Sequence, residues 1–157
     1  MPGGKIHFRD SLIATGVVAA TTLIATGDSW QALGYTGGAI IGTYLTPDLD
    51  LAEKDPIYPN WALRKFPVIN GVHRGIGFAY GSLMSHRGVS HAPVVGTLTK
   101  MIPIFAVIVS ALWLLGIHEI PWILTIRVFF GWTVVDFVHI AHDRIHSYGR
   151  RRNEPRR

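Results

Sequence analysis

Four apolar stretches constrain this chain more than any motif does: Ser11 to Gly27, Gln31 to Pro47, Met101 to Ile117 and Pro121 to Ile140. As α-helices of this length, each would run about 25–30 Å, close to the thickness of a bilayer's hydrocarbon core. The second stretch is the least apolar and is rich in glycine. Its Gly34, Gly38 and Gly42 recur every four residues, a small-residue pattern that lets helices approach closely in lipid.

Taken singly, each stretch could also be a buried helix of a soluble bundle, and the distribution of charge argues against that. If all four cross a membrane, the short connections 28–30 and 118–120 contain Asp28, His118 and Glu119 but no Lys or Arg. Apart from Arg127, inside the fourth stretch, every Lys and Arg falls on the opposite side, and six of the fifteen lie from Arg144 onward. The positive-inside rule then puts both termini and the long middle segment in the cytoplasm. Charged residues make up 16% of the chain and apolar ones 48%, and a charged fraction this low leans towards membrane. The predicted fold is therefore all-α, a polytopic bundle of about four transmembrane helices with a cytoplasmic loop region between the second and third. Residues 1–146 form the single membrane-embedded domain and 147–157 a basic, mobile tail.

The N-terminal apolar run has the look of a signal peptide, but His7 and Asp10 precede it and it is expected to be retained. In the middle segment Pro56, Pro59 and Pro67, with Gly71, Gly75, Gly77 and Gly81, predict short broken pieces, and "NWALRKFPVI" suits the headgroup interface. Expected partners are membrane lipids and a second copy of the chain. Nucleic acid is not expected, because the basic residues flank helices instead of interleaving with aromatics on one face.

The chain has no cysteine, so any metal must be held by His, Asp or Glu. Candidates gather at the cytoplasmic ends of the stretches: His7 before the first, Asp48 and Asp50 of "TPDLD" after the second, His86 and His91 of "SHRGVSH" before the third, and "DFVHIAHD" ending the fourth. Asp136, His139 and Asp143 share one helical face. Asp136 is the strongest single hint, since an ionisable group inside an apolar run is expensive unless paired or functional. His142 projects away from that face and reads as interfacial or solvent-facing. His86 and His91, five apart, do not share a face of a regular helix, so at least one sits in a loop that Gly88 helps to bend. The predicted ligands are His7, Asp48, Asp50, His86, His91, Asp136 and His139, around one or two divalent ions, with zinc or manganese suiting these donors.

The ordered set of an early His7, the "PDLD" turn, the "HRGVSH" loop and a late "DFVH" resembles a widespread bacterial family of small inner-membrane proteins, the membrane-bound metal-dependent hydrolases. The resemblance is strongest to their cyanobacterial-type metal-binding branch and spans Gly4 to His146. Where that family commonly has Ser after the second histidine, this chain has Ala92, which removes one hydroxyl. The resemblance implies a bacterial cytoplasmic-membrane location and metal-dependent hydrolysis. A phosphoester or lipid-like substrate is the expectation, with Arg87, and secondarily Arg74, offsetting phosphate charge. The alternative is a non-catalytic membrane protein whose metal fixes the helix ends or forms a docking platform. An ion carrier would need polar groups deep in the helices and ranks lower.

Overall fold

The computed structural model describes residues 4–46, 48–49, 65–83 and 88–153. The described residues form five α-helices and one short 3₁₀ turn: α1 (Gly4–Thr26), α2 (Ser29–Tyr44), α3 (Pro67–Leu83), the turn Val89–His91, α4 (Val95–Leu114) and α5 (Trp122–Asn153).

A two-residue connection folds α2 back along α1. Gly27 adopts φ +63, a left-handed conformation that ends a helix without steric penalty, and its N–H donates to Leu23 O at 2.9 Å. Asp28 then caps α2, its carboxylate accepting from the backbone N–H groups of Trp30 (2.8 Å) and Gln31 (3.2 Å). Its contacts with Gln31, foremost, hold the Asp28 carboxyl below its ordinary value. The hairpin brings Tyr44 back beside Phe8, ring centroids 5.9 Å apart, and Thr15 Oγ1 within 3.4 Å of Thr43 Oγ1.

The glycine ladder of α2 is used within the chain, against α5. Gly34 faces Arg127 and Leu124, Gly38 faces Val128 and Gly42 faces Trp132. A Cβ on Gly38 would overlap the Val128 carbonyl oxygen, and one on Gly131 would overlap the Tyr35 carbonyl oxygen. Backbone therefore meets backbone along this seam, the close approach that small residues permit. Several hydroxyl side chains are buried while many large apolar ones face outward. Ser11, Thr15, Thr43 and Thr97 are buried, while Ile24, Val107, Leu114 and Ile123 lie on the outside. Among the described residues, three stretches are long and apolar enough to cross a membrane: Ile6–Thr26, Val95–Leu114 and Trp122–Ile145. The expected count of four is not reached on this measure, because α2 has only 16 residues, about 24 Å of helix.

Two other expectations are revised. Residues 67–83 form one continuous amphipathic helix instead of broken pieces. Pro67 opens it, where a missing N–H does no harm, and Gly71 and Gly75 meet nothing within 4 Å. Buried His73, Gly77 and Tyr80 dock α3 over the end of α2. The His73 Nε2–H donates to Tyr44 O at 2.8 Å, Tyr80 Oη lies 2.9 Å from Thr99 Oγ1, and Leu49 packs on Tyr80. Burial pushes the His73 imidazole below its ordinary pKa, and the Tyr44 carbonyl only partly offsets this. Secondly, α5 stays helical through Asn153, so residues 147–153 of the segment expected to be a tail continue a helix of about 48 Å.

Candidate metal centre

Three elements meet at the end of the bundle where α2 finishes and α4 begins. After α2, Thr46 turns the chain, with Leu49 N–H donating to its carbonyl at 3.0 Å, and Asp48 projects from this turn. His91 closes the 3₁₀ turn before α4. Between them, Val94 takes φ +66, a left-handed conformation rare for a β-branched residue, where the chain bends into α4. From α5 come His139 and Asp143, one turn apart on the same face.

Asp48 spans both histidines: Oδ1 is 3.1 Å from His91 Nε2 and Oδ2 is 3.3 Å from His139 Nε2. Asp143 Oδ2 lies 3.8 Å from each of the same two nitrogens. One ligand atom from each of the four residues falls within 4.8 Å of all the others. Burial would raise the Asp48 carboxyl's pKa, but His139 and His91 at its two oxygens outweigh that and hold it well below the usual carboxylate range.

A second layer wraps this group. His7 lies inside α1, not ahead of it, and stacks on His139 with ring centroids 4.3 Å apart. Its Nε2 is 3.3 Å from Asp143 Oδ1, so the two oxygens of Asp143 serve different sides. His142 is beside His7, centroids 5.0 Å apart, with Nδ1 3.0 Å from Asp10 Oδ2. His142, expected to be interfacial or solvent-facing, is thus partly covered by the first turns of α1, its side chain 19% exposed.

A model of the family described as "Uncharacterized metal-binding protein (DUF2227)" matches residues 2–153 of the chain. The chain belongs to that family. No curated protein and no solved structure matches it.

The residues present fit the metal that the family's description implies. Donors about 2.0–2.1 Å from a tetrahedral ion sit about 3.3–3.4 Å from one another; the His–carboxylate separations of 3.1–3.8 Å lie around that value, and one atom from each of the four residues lies within 4.8 Å of the others. His139 is the more telling residue: it is buried, its Nδ1 has no hydrogen-bond partner, and its Nε2 has only the Asp48 and Asp143 carboxylates, at 3.3 and 3.8 Å, without hydrogen-bond geometry. Leaving a buried polar group unsatisfied costs about 1–3 kcal/mol, and coordination at Nε2 would remove that penalty on one side of the ring.

Of the seven residues expected as ligands, Asp48, His91 and His139 are brought together, and His7 stands against them through Asp143 and His139. Asp50 and His86 lie outside the described residues, as does Arg87. Arg74 is exposed on α3. Asp136 is engaged elsewhere: its Oδ2 accepts from Lys100 Nζ at 2.7 Å and from Thr97 Oγ1 at 2.7 Å. It is one turn deeper than His139, facing α4, and its apolar setting marked a buried ion pair. Lys100 also donates to Leu45 O at 3.0 Å, tying the end of α2, and so the Asp48 turn, to α4 and α5. Asp143 was missing from the expected ligands although it shares the face of His139. The signal that could have found it was its position one turn beyond His139.

Proposed function

We propose that this protein is a metal-dependent hydrolase of the cytoplasmic membrane, acting on a phosphoester presented at the bilayer surface. Asp48, His91, His139 and Asp143 hold one divalent ion, and zinc or manganese suits a thiolate-free set of imidazoles and carboxylates. The observation that carries the reading is the convergence of these donors, with His139 buried among them, at one end of helices with apolar outer faces. In this reading α2, shielded between α1 and α5, is a short fourth crossing. His7 and His142 meet at 5.0 Å, so the start of α1 and the late part of α5 share one end of the bundle. That supports placing both termini on the same, cytoplasmic side, where the basic residues collect.

A bound divalent ion supplies Lewis acidity and lowers the pKa of water towards neutrality. The chain's own part is orientation and proton handling. Asp48 and Asp143 aim the two imidazoles, and the His7–Asp143 pair, 3.3 Å apart, stands beside the cluster to take a proton from the attacking water. Hydrolysis adds that water's oxygen to phosphorus and breaks the ester P–O bond. One of the water's protons passes by way of the His7–Asp143 pair to the departing alcohol, and the other stays on the phosphate product. Arg87, four positions before His91, is assigned to the charge of the phosphate.

One observation favours a second reading. Four side-chain donors fill a tetrahedral shell, as in a structural site, so the ion could instead pin the ends of α2, α4 and α5. Incubating metal-loaded protein in lipid nanodiscs with phosphoester lipids, and detecting products by mass spectrometry, separates the two. Turnover by the wild type that is lost in His7→Gln with metal retained supports hydrolysis. A metal-replete wild type that releases no product favours the structural ion.

A further inference from the structure

A groove on the outside of the bundle reaches His142, which stands beside His7 at the edge of the metal cluster. Between α1 and α5 lies a cavity of about 560 Å³, walled by Ile13, Ala14 and Val17 on one side and Val134, Phe137 and Val138 on the other. Its walls are apolar except at one end, where Asp10 and His142 line it. A second depression, of about 380 Å³, shares Val18 and Val134 with the first and carries it on to Thr21, Thr22 and Phe130. From Asp10 to Thr22 the joined groove follows α1 for about 18 Å, close to the ~15 Å depth of one leaflet's hydrocarbon.

The polar end is one side chain away from the proposed metal ligands. His142 sits between Asp10 and His7, and His7 touches both His139 and Asp143. Arg9 flanks the same end, its side chain 69% exposed while it bonds Asp10, and Arg144, exposed on α5, is next in the chain to the lining residue Ile145. A third depression, at Val109, Ser110, Trp113 and Leu114 on α4, touches none of these groups.

We infer that the α1–α5 groove holds one acyl chain of a membrane phospholipid, with its phosphate-bearing headgroup delivered past Arg9 and His142 to the metal cluster. The inference rests on the hydrolase reading and names its substrate class. The occupant follows from three features together: groove depth matching one leaflet, a first depression walled by apolar side chains except at its Asp10–His142 end, and arginines near where an anionic headgroup would lie. The chain binds in the groove, the phosphoester sits at the rim, and cleavage releases the headgroup or the phosphate to the cytoplasmic side.

The test uses full-length, metal-loaded protein in nanodiscs and a palmitoyl lysophosphatidic acid carrying a diazirine in mid-chain. After photolysis, labelled peptides are mapped by mass spectrometry, and metal content is measured on the same samples. Labelling should concentrate on residues 13–18 and 130–138. Ala14→Trp and, independently, Val138→Trp should each lower it by about tenfold, with metal content unchanged as the check on folding. Val107→Trp, on the exposed face of α4, should leave it unaltered. A monoacylglycerol with the same photoreactive chain should label about tenfold less if the phosphate is recognised. Labelling spread evenly over α4 and α5, or undiminished in both groove-filling variants, would overturn the inference. Equal labelling by the two probes would overturn the headgroup assignment. Specific groove labelling of wild-type protein that carries no metal would refute the hydrolase reading while leaving the acyl-chain site standing.

Discussion

Replacing Lys100 with Met should destabilise the protein severely, and the size of the effect follows from the surroundings of the ammonium. The Lys100 side chain is 0% exposed and that of Asp136 is 2% exposed, with a separation of 2.7 Å. Removing one partner of such a pair strands the other charge in a low-dielectric interior, at a cost of about 3–5 kcal/mol. The Leu45 carbonyl also loses its donor, which adds about 1 kcal/mol. Against a total stability of about 5–15 kcal/mol for a domain, Lys100→Met should leave little in reserve. Thermal and SDS-induced unfolding in detergent, followed by circular dichroism, would measure this. The double variant Lys100→Met/Asp136→Leu should recover most of the loss, because it replaces the pair with apolar groups of similar volume. A single variant within about 1 kcal/mol of the wild type, or a double variant no better than the single, would refute the assignment of Asp136 to this ion pair.

Two further perturbations probe the scaffold. Gly38→Ala should destabilise by about 1–3 kcal/mol, since its Cβ would meet the Val128 carbonyl; Gly37→Ala, one residue away with nothing within 4 Å, should be neutral or stabilising by about 0.5–1 kcal/mol. Equal effects at the two positions would contradict the α2–α5 seam. His73 is buried neutral with its pKa pushed down, so the unfolded chain binds the extra proton. Its contribution is therefore complete above about pH 6.5, the unfolded value, and declines as pH falls below it. In metal-free protein, His73→Gln should flatten the acid limb of the stability curve between about pH 6.5 and 5; an unchanged limb would sink this account of α3 docking.

The four long apolar helices, though not α3, and the end of the bundle at which the His and Asp residues gather were legible because both are one-dimensional signals. Apolar run length sets helix length, and the positions of Lys and Arg separate the two ends. The α2–α5 seam could be read as a glycine ladder, though its partner could not, since the pattern says only that some helix comes close. Asp48, His91 and His139 stood out as ionisable groups at helix ends. The division of labour between Asp136 and Asp143 was not legible. Both share the helical face of His139, and which one meets the histidines depends on the position of Lys100 on α4, a packing fact with no counterpart in spacing. His142 and Asp10 were missed for a similar reason: each becomes polar lining only when α1 and α5 lie side by side.

The central claim is that Asp48, His91, His139 and Asp143 hold a divalent ion, and its most direct test is elemental analysis of detergent-purified protein prepared without chelators. The wild type should carry about one equivalent of metal, as four protein donors fill one tetrahedral site. His139→Ala and Asp143→Asn should lose it, and Asp136→Asn should keep it. Wild-type protein without stoichiometric metal, or metal retained in His139→Ala and lost in a folded Asp136→Asn, would contradict the account.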